Sequence, residues 1–195
     1  MTVSIRRGLP PALRPQAAQL YWQAFGGKLG SVLGPEPRAL DYLMRVMRAD
    51  HVFIALDVND DLVGLAGFKT PRGSFAGGTE ADLCAIYGRF GGWWRARLFA
   101  WLGREVDNDR FLVDGICVSR QARGQGIGTA LLDALCTEGA ARGYHAVRLD
   151  VIDTNWRARA LYERRGFTSL GSRPIGPLRH VFGFAAATTM VRPVI

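Results

Sequence analysis

Cysteine is scarce in this sequence, and its scarcity excludes two kinds of small protein. The 195 residues include only Cys84, Cys117 and Cys136, which are widely separated and form no CxxC pair. An odd number of distant cysteines argues against a disulfide framework and against a cysteine-rich zinc site. We therefore expect reduced thiols and a cytoplasmic protein.

Long apolar runs are also missing. No stretch approaches the roughly 18 apolar residues that a membrane span requires, and the first residues lack the apolar core of a signal peptide. We therefore expect no membrane span. Nor do we expect a metal, because the three histidines are too dispersed to indicate a site: His51, His145 and His180.

Positive charge and apolar residues are abundant. The formal net charge is +8. Because 48% of the 195 residues are apolar, the chain is long and apolar enough for one globular domain with a substantial core. The charge would attract a polyanion, whether nucleic acid, anionic lipid or a phosphorylated cofactor. Charge alone does not choose among these three.

The order of apolar patterns predicts a mixed sheet. Strands are expected at 3–7, 51–58 and 62–70, the last two forming a hairpin around Asn59, Asp60 and Asp61. Further strands are expected at 111–119, 146–151, 168–173 and 182–191. Helices are expected after the prolines near residue 10, where Leu20 and Ala24 share a face, and at about 36–49, 126–141 and 156–165. This order is typical of an α/β or α+β domain.

Three glycines at alternate positions precede one of these helices. Gly124, Gly126 and Gly128 lie where the unpaired N–H groups of a helix start would attract a phosphate, and glycine lets the phosphate approach closely. Arg120 and Arg123 add positive charge and favour a pyrophosphate. The plain alternative is a solvated turn.

Two common nucleotide motifs do not fit this loop. A P-loop requires Gly-Lys-Ser/Thr, whereas this loop ends in Gly128-Thr129 without a lysine. A dinucleotide fingerprint requires a third glycine where Thr129 stands. Too little chain follows for a second nucleotide-binding half. One feature agrees with the fingerprint, which is that the acidic Asp150 ends the next strand.

The spacing instead resembles the acyl-CoA loop of the GNAT acyltransferase superfamily. The pattern Q/R-x-x-G-x-G/A is matched by Arg123, Gly126 and Gly128. The later stretch NWRARALYERRGF is similar to a second family signature at Asn155, Ala158, Leu161, Tyr162, Gly166 and Phe167. The resemblance covers 111–167 and implies a GNAT fold: a central, mixed and mostly antiparallel sheet with helices on both faces.

The resemblance implies a ternary complex in which acetyl-CoA, or another acyl-CoA, is the co-substrate. In the family the pyrophosphate lies on the amides of the loop and the pantetheine arm runs beside the preceding strand. The residues implied to bind it are Cys117, Val118, Arg123, Gly124, Gln125, Gly126, Ile127, Gly128, Thr129, Asn155 and Tyr162. Asn155 is equally expected to be an N-cap.

The catalytic groups follow from what direct transfer to a primary amine requires. The Val118 amide would face the thioester oxygen, a contact worth about 3 to 4 kcal/mol at an oxyanion. Tyr162 is expected to protonate the leaving thiolate. Because a free amine has a pKa of about 10.4, a base is also needed; Asp150 is the first candidate, and Asp114 and Glu80 are alternates.

A covalent acyl-enzyme on Cys117 is not expected, since a cysteine on a central apolar strand is usually a small core residue. Each of the candidate acids has a plain alternative, a solvated or ion-paired carboxylate, and Tyr162 has one as a buried, hydrogen-bonded tyrosine.

Residues 71–109 are predicted to be an insertion in a single domain spanning 1–195. Its apolar residues fall on half of a helical wheel, although Gly91 and Gly92 weaken a helix there. We expect it to pack on its own protein and, by chain position, to wall the acceptor site. The residues concerned are Ile86, Phe90, Trp93, Trp94, Leu98 and Trp101.

Three function classes remain open from the sequence. The first is an N-acetyltransferase that acts on a small-molecule, peptide or protein amine, and homodimerisation is a further possibility that the resemblance raises. The second is a noncatalytic acyl-CoA-binding module. The third is a basic protein that binds nucleic acid or a membrane surface, which only the net charge and the Arg/Trp segment favour; no nucleic-acid partner is expected.

Overall fold

The protein is built on one mixed sheet. A computed structural model describes residues 3–102 and 109–194. Its strands are β1 Ser4–Arg7, β2 Val52–Leu56, β3 Leu62–Thr70, β4 Gly73–Ser74, β5 Phe111–Val118, β6 Ala146–Ile152, β7 Thr168–Pro174 and β8 Ala186–Pro193. Its helices are α1 Arg14–Leu33, α2 Glu36–Val46, α3 Glu80–Leu102, α4 Ile127–Ala141, α5 Trp156–Arg164 and α6 Arg179–Phe182.

The strand order is β1-β2-β3-β5-β6-β8-β7, and the short β4 pairs with the end of β3. Neighbouring strands are antiparallel except β5 and β6, which are parallel. This arrangement confirms the predicted mixed, mostly antiparallel sheet. The single parallel pair divides the sheet into a half made of β1 to β5 and a half made of β6, β8 and β7.

Helices cover both faces of the first half of the sheet. Alternation along each strand sends one set of side chains to α4 and the other set to α1 and α2. The α4 side contains Phe68, Phe111, Leu131, Leu135, Val147 and Leu149. The α1 and α2 side contains Leu20, Leu43, Ile54, Leu65, Phe75 and Cys117.

The two halves of the sheet meet over a very short ladder. The β5–β6 register consists of Phe111 opposite Val147 and Leu112 opposite Arg148. Both strands run on for several residues beyond these pairs, so their carboxyl ends diverge. The result is an open gap between β5 and β6, next to the loop that contains the three glycines.

Local chemistry explains the hairpin between β2 and β3. The Asp57 carboxylate accepts hydrogen bonds from the Asn59 N–H at 2.8 Å and the Asp61 N–H at 3.0 Å. Asp60 adopts the left-handed conformation with φ of 60°, which aspartate tolerates better than most residues. The predicted hairpin is thus confirmed.

The segment predicted to be an insertion, 71–109, contains the long helix α3. α3 is bent at Gly88, where φ is 75°, and not at the glycines where weakness was expected. Gly92 allows the two parts of α3 to fold together, since a Cβ there would lie 2.4 Å from the Cys84 nitrogen.

One face of α3 packs on the protein itself, as expected. The Arg95 Nε donates to the Val32 carbonyl at 2.6 Å, at the end of α1. Phe90 and Trp93 lie on the opposite, exposed face and stack on each other with ring centroids 6.3 Å apart. Residues 103–108 and the Trp101 side chain fall outside the described residues, and a single domain over 1–195 stays a prediction.

The last strand begins later than predicted. Residues 179–182 form α6, and Phe182 is buried there, so its apolar character reflects packing rather than a strand. Gly183, with φ of 70°, then ends α6 before β8 starts at Ala186. Helix α2 is also shorter than expected, because Met47 is already non-helical.

Alanine substitutions at two glycines should change the stability of the protein in opposite directions. In Gly67→Ala the added Cβ would lie 2.7 Å from the Phe75 side chain, which is fully buried, so we expect a loss of about 1 to 3 kcal/mol. In Gly27→Ala the Cβ meets nothing within 4 Å on the exposed face of α1, so we expect a gain of up to about 1 kcal/mol. Urea unfolding measures both, and a neutral Gly67→Ala would contradict the packing described.

Candidate active site

The glycine loop is held open by its backbone conformation. Gly124 and Gly126 have φ of 80° and 79°, in the left-handed region that favours glycine. A Cβ at either residue would meet no atom within 4 Å, so the space above the loop is open. Gly128 differs, since it has ordinary contacts with Leu161 and Val118 at 3.6 and 3.9 Å. Gly124 and Gly126 are thus required by the backbone conformation of the loop, whereas Gly128 packs against neighbouring side chains.

The loop leads directly into the start of α4. Gly126 is the N-cap residue and no side chain caps the helix, so the first N–H groups of α4, those of Ile127, Gly128 and Thr129, have no side-chain acceptor there. Aligned peptide dipoles add about half a positive charge at this end of a helix. Arg123 and Gln125 are exposed beside it. The arrangement is suited to bind an anion.

Main-chain groups of β5 point into the gap. The Ser119 N–H donates to the Val63 carbonyl at 2.9 Å, and Leu65 pairs with Cys117, so these β5 residues face β3. By the alternation of a strand, the N–H and C=O groups of Ile116 and Val118 face the other way, toward β6. The Val118 carbonyl accepts a hydrogen bond from Arg123 Nε at 3.3 Å.

Tyr162 lies on the α4 side of the sheet. Its ring packs against the cluster under α4 and lies 6.0 Å from the Phe167 ring. No described residue hydrogen-bonds its hydroxyl. Burial raises the pKa of Tyr162 to about 12, so the phenol is a proton donor at neutral pH and its side chain stays neutral.

Asp150 lies on the opposite side of the sheet from Tyr162. Its neighbours Leu149 and Val151 point into the cluster under α4, so Asp150 projects from the other face, where it is exposed. The Thr189 hydroxyl donates to its carboxylate at 2.5 Å, and Arg148 lies 3.6 Å away. The Asp150 carboxylate thus accepts one hydrogen bond from a neutral hydroxyl, lies near the Arg148 guanidinium and is otherwise exposed to solvent.

The alternate acids have other surroundings. Asp114 accepts hydrogen bonds from the Ser74 hydroxyl at 2.8 Å and the Ala76 N–H at 3.0 Å, so its carboxylate ties β5 to β4. Glu80 is an exposed residue in the first turn of α3. Of these acids, Asp150 keeps an exposed carboxylate on a strand that borders the gap.

Cys117 and His51 occupy buried, structural positions. The Cys117 thiol is buried among the residues under α1, and burial raises the pKa of that thiol, which disfavours the thiolate that a covalent mechanism needs. His51 is buried, with Nε2 3.0 Å from the Thr70 hydroxyl. Within residues 3–102 and 109–194, no three His, Cys, Asp or Glu side chains are grouped to hold a metal.

Asn155 is the N-cap of α5, as predicted. Its side-chain oxygen accepts a hydrogen bond from the Ala158 N–H at 3.3 Å. This contact uses the oxygen alone, so the side-chain amide remains a donor for a ligand. The cap explains why asparagine precedes this helix, and it is compatible with a contact between the Asn155 amide and a cofactor.

Residues near Asp150 form a shallow cavity that was not predicted from the sequence. Its volume is about 340 Å³. The pattern AVRLDVI contained a signal, because polar Arg148 and Asp150 alternate with apolar residues and so share one face. No similar pattern in the sequence predicted that residues of β7 would line this cavity. The lining residues are Arg148, Leu170, Gly171, Ser172, Arg173 and Thr189.

Comparison with known proteins agrees with this geometry. Residues 14–167 match the family model described as the acetyltransferase (GNAT) family. Because the match covers most of the chain, the protein belongs to the GNAT acetyltransferase family. No curated protein sequence matches the chain. No helix in the described ranges is long and apolar enough to cross a membrane.

Solved structures show the same fold at low sequence identity. One is titled histone acetyltransferase HPA2 and related acetyltransferase from Corynebacterium glutamicum, with 22% identity, coverage of 99% of this chain and 97% of that one, and a TM-score of 0.66. An N-acetyltransferase from Staphylococcus aureus Mu50 has 18% identity, coverage of 97% and 100%, and a TM-score of 0.65. A GCN5-related N-acetyltransferase from Kribbella flavida has 18% identity, coverage of 98% and 97%, and a TM-score of 0.61.

The raised pKa of Tyr162 predicts a pH dependence of stability. An unfolded tyrosine ionises near pH 10, so the neutral, half-buried Tyr162 contributes fully below about pH 10 and this contribution is lost as the pH rises toward 12. Tyr162→Phe has no proton to lose at this position. Urea unfolding at pH 8 and pH 11 should therefore show a smaller loss of stability for Tyr162→Phe than for wild type, and equal losses would contradict the raised pKa of the phenol.

Proposed function

We propose that the protein is an N-acetyltransferase that transfers an acetyl group from acetyl-CoA to a primary amine by direct attack in a ternary complex. The observation that carries this proposal is the gap between β5 and β6, which opens beside the uncapped start of α4. The gap offers main-chain hydrogen bonds to an amide-containing arm, and the helix start offers amides to its pyrophosphate. Family membership supports the same co-substrate. A cytoplasmic location belongs to this proposal.

The loop and β5 divide the binding of acetyl-CoA between them. Amides from Arg123 to Thr129 would hold the pyrophosphate, with Gly124 and Gly126 allowing close approach. Ile116 and Val118 would pair with the pantetheine arm, because their main-chain groups face the gap. The main chain of Cys117 faces β3, so the main-chain contact that the resemblance implied for Cys117 passes in this proposal to Ile116. The Asn155 amide and the Tyr162 ring would line the same side.

Three groups would act on the reaction itself. The Val118 N–H would donate to the thioester oxygen and stabilise negative charge there. Asp150 would accept a proton from the amine, directly or through water. Tyr162 would donate a proton to the departing sulfur. Because Asp150 and Tyr162 lie on opposite faces of β6, proton removal and proton delivery occur on different sides of the gap.

The other function classes have less support. A noncatalytic acyl-CoA-binding module would use the loop and the gap but would give no role to Asp150 or Tyr162. A nucleic-acid or membrane-surface protein would use the exposed pair of Phe90 and Trp93 on α3. Only the first class uses the loop, the gap and both titratable groups.

Gly126→Ala tests the binding site for acetyl-CoA. Alanine is strained by about 1 to 2 kcal/mol at φ of 79°, so the loop should change shape and calorimetric titration should show acetyl-CoA affinity reduced about ten-fold or more. Gly143→Ala is the matched control. Gly143 has φ of 81° and open surroundings but follows the far end of α4, so it should lose similar stability and keep its affinity. Equal affinities in the two variants would contradict the proposed site.

Tyr162→Phe separates the enzyme from the noncatalytic module. The variant keeps the packing of the ring and loses only the proton donor, so we expect kcat to fall about 100-fold or more while the Kd for acetyl-CoA stays within about two-fold. Release of free CoA with a panel of primary amines measures kcat. If no amine stimulates CoA release from a protein that binds acetyl-CoA, the noncatalytic class is correct.

A further inference from the structure

Helix α3 presents an aromatic pair to solvent just after its bend at Gly88. Phe90 is 79% exposed and Trp93 is 44% exposed. Their rings stack with centroids 6.3 Å apart. Neither ring packs against any of the buried clusters of the described residues. The core of this chain therefore does not account for two large aromatic side chains on one face of a helix.

The other face of α3 fixes the helix in place. Leu83 and Tyr87 pack in a cluster with residues of α2, and the Arg95 Nε donates to the Val32 carbonyl at 2.6 Å. The Arg95 guanidinium also lies 4.0 Å from the centroid of the Tyr87 ring. Because these contacts hold both parts of α3, the aromatic pair is presented to solvent without a rearrangement of the protein.

Two arginines border the aromatic pair on the exposed face. Residues three and four apart share one face of a helix, so Phe90, Trp93 and Arg97 form a single stripe. The Arg97 guanidinium lies 5.2 Å from the centroid of the Trp93 ring. Arg89 is exposed directly beside Phe90. The four residues, Arg89, Phe90, Trp93 and Arg97, are called the aromatic stripe below.

The charge at the aromatic stripe is positive. Among the described residues, neither Arg89 nor Arg97 has an acidic partner. The acids of α3, Glu80 and Asp82, both lie in its first turn, and Asp82 already pairs with an arginine of α2 at 2.8 Å. Helix α2 sets one cation and one anion near Tyr87, and their charges offset each other. The stripe thus combines apolar rings with two guanidinium groups.

We propose that the aromatic stripe docks the protein on a membrane surface that carries anionic lipids. Tryptophan and phenylalanine rings bury apolar surface at the level of the headgroups, where one edge can stay near water. The guanidinium groups would bind the lipid phosphates through charge-assisted hydrogen bonds. Charge complementarity selects this partner, and the net charge of +8 adds attraction at longer range. Such docking goes beyond the proposed acetyl transfer and does not depend on it.

A second copy of the chain fits the aromatic stripe less well. In a two-fold dimer the stripe would meet itself, so guanidinium groups would face guanidinium groups. Two rings and two arginines also offer much less surface than the roughly 1,200 to 2,000 Å² that a stable interface buries. An anionic membrane instead supplies the opposite charge and needs only side chains that insert.

Nucleic acid also fits less well, because the faces of the Trp93 ring are covered. Bases bind to aromatic side chains by stacking on the face of a ring. Phe90 lies one turn before Trp93 and stacks on it with ring planes 25° apart. Arg97 lies over the same ring from the turn that follows. Exposed ring edges suit insertion among lipid headgroups better than the stacking of bases.

Co-sedimentation of the full-length protein with lipid vesicles tests this docking. One set of vesicles contains equal parts of phosphatidylcholine and phosphatidylglycerol, and the other contains phosphatidylcholine alone. Each arginine at an anionic surface should favour binding about five-fold, so we expect partitioning onto the anionic vesicles to be at least about ten-fold stronger. It should weaken as salt is added, because salt screens the attraction.

Substitutions in the aromatic stripe should weaken partitioning onto anionic vesicles. Phe90→Ser and Trp93→Ser should each reduce it about ten-fold, because each removes an apolar side chain that the headgroup region would bury. Arg89→Gln and Arg97→Gln should each reduce it about five-fold. All four side chains are exposed, so the midpoint of urea unfolding should stay at the wild-type value.

Matched controls come from exposed residues elsewhere on the surface. Val58→Ser removes an apolar side chain that is 70% exposed in the β2–β3 hairpin. Arg72→Gln removes an exposed arginine between β3 and β4. Both controls should partition like wild type, because neither residue belongs to the aromatic stripe.

Several results would overturn the proposal. Equal partitioning onto the two kinds of vesicle would remove the anionic membrane as the partner. Wild-type partitioning of Phe90→Ser and Trp93→Ser would show that another surface binds the lipid. A dimer that dissociates in Trp93→Ser would assign the stripe to a second copy, and single-stranded DNA whose binding is lost in Trp93→Ser would assign it to nucleic acid.

Discussion

The rest of the structure depends on the short parallel contact between β5 and β6. Two strands that run side by side normally satisfy each other's main-chain groups along their whole length. Here they do so over two residue pairs and then separate, so the main-chain groups of Ile116 and Val118 face the gap. Those groups require partners: Arg123 donates to the Val118 carbonyl, and a ligand with amide groups would supply others where water would otherwise bind. The separation of the two strands is therefore the feature on which the proposed binding site depends.

The divergence also divides the chemistry between two faces. The α4 face carries the glycine loop, the uncapped helix start and Tyr162, which together suit an anion and a leaving group. The other face carries Asp150, whose carboxylate accepts a hydrogen bond from Thr189 and lies near Arg148. Strand alternation alone produces this division, since Asp150 and its neighbours Leu149 and Val151 differ by one residue in sequence and by the full thickness of the sheet in space.

How far the sequence could predict this structure varied with the kind of signal. Apolar periodicity located β3, β5 and α4 to within a residue, because each buries one face in a regular pattern. The glycine loop could be predicted from spacing, because φ near 80° at Gly124 and Gly126 admits few other residues. The bend at Gly88 and the helix at Phe182 could not, since tertiary packing decides whether such residues continue a helix or end one. The cavity at β7 depends on pairing between distant strands, which no local pattern records.

Helix α4 lies across the junction between the halves of the sheet, at Gly139. A Cβ on Gly139 would lie 3.1 Å from both Phe111 and Val147, the first pair of the β5–β6 ladder. Among the described residues two pairs join β5 to β6, so the packing of α4 on both strands contributes to the angle between the halves. The width of the gap thus depends in part on packing in the interior of the protein. A larger side chain at Gly139 would press on both strands at this junction and would change the angle at which the gap opens.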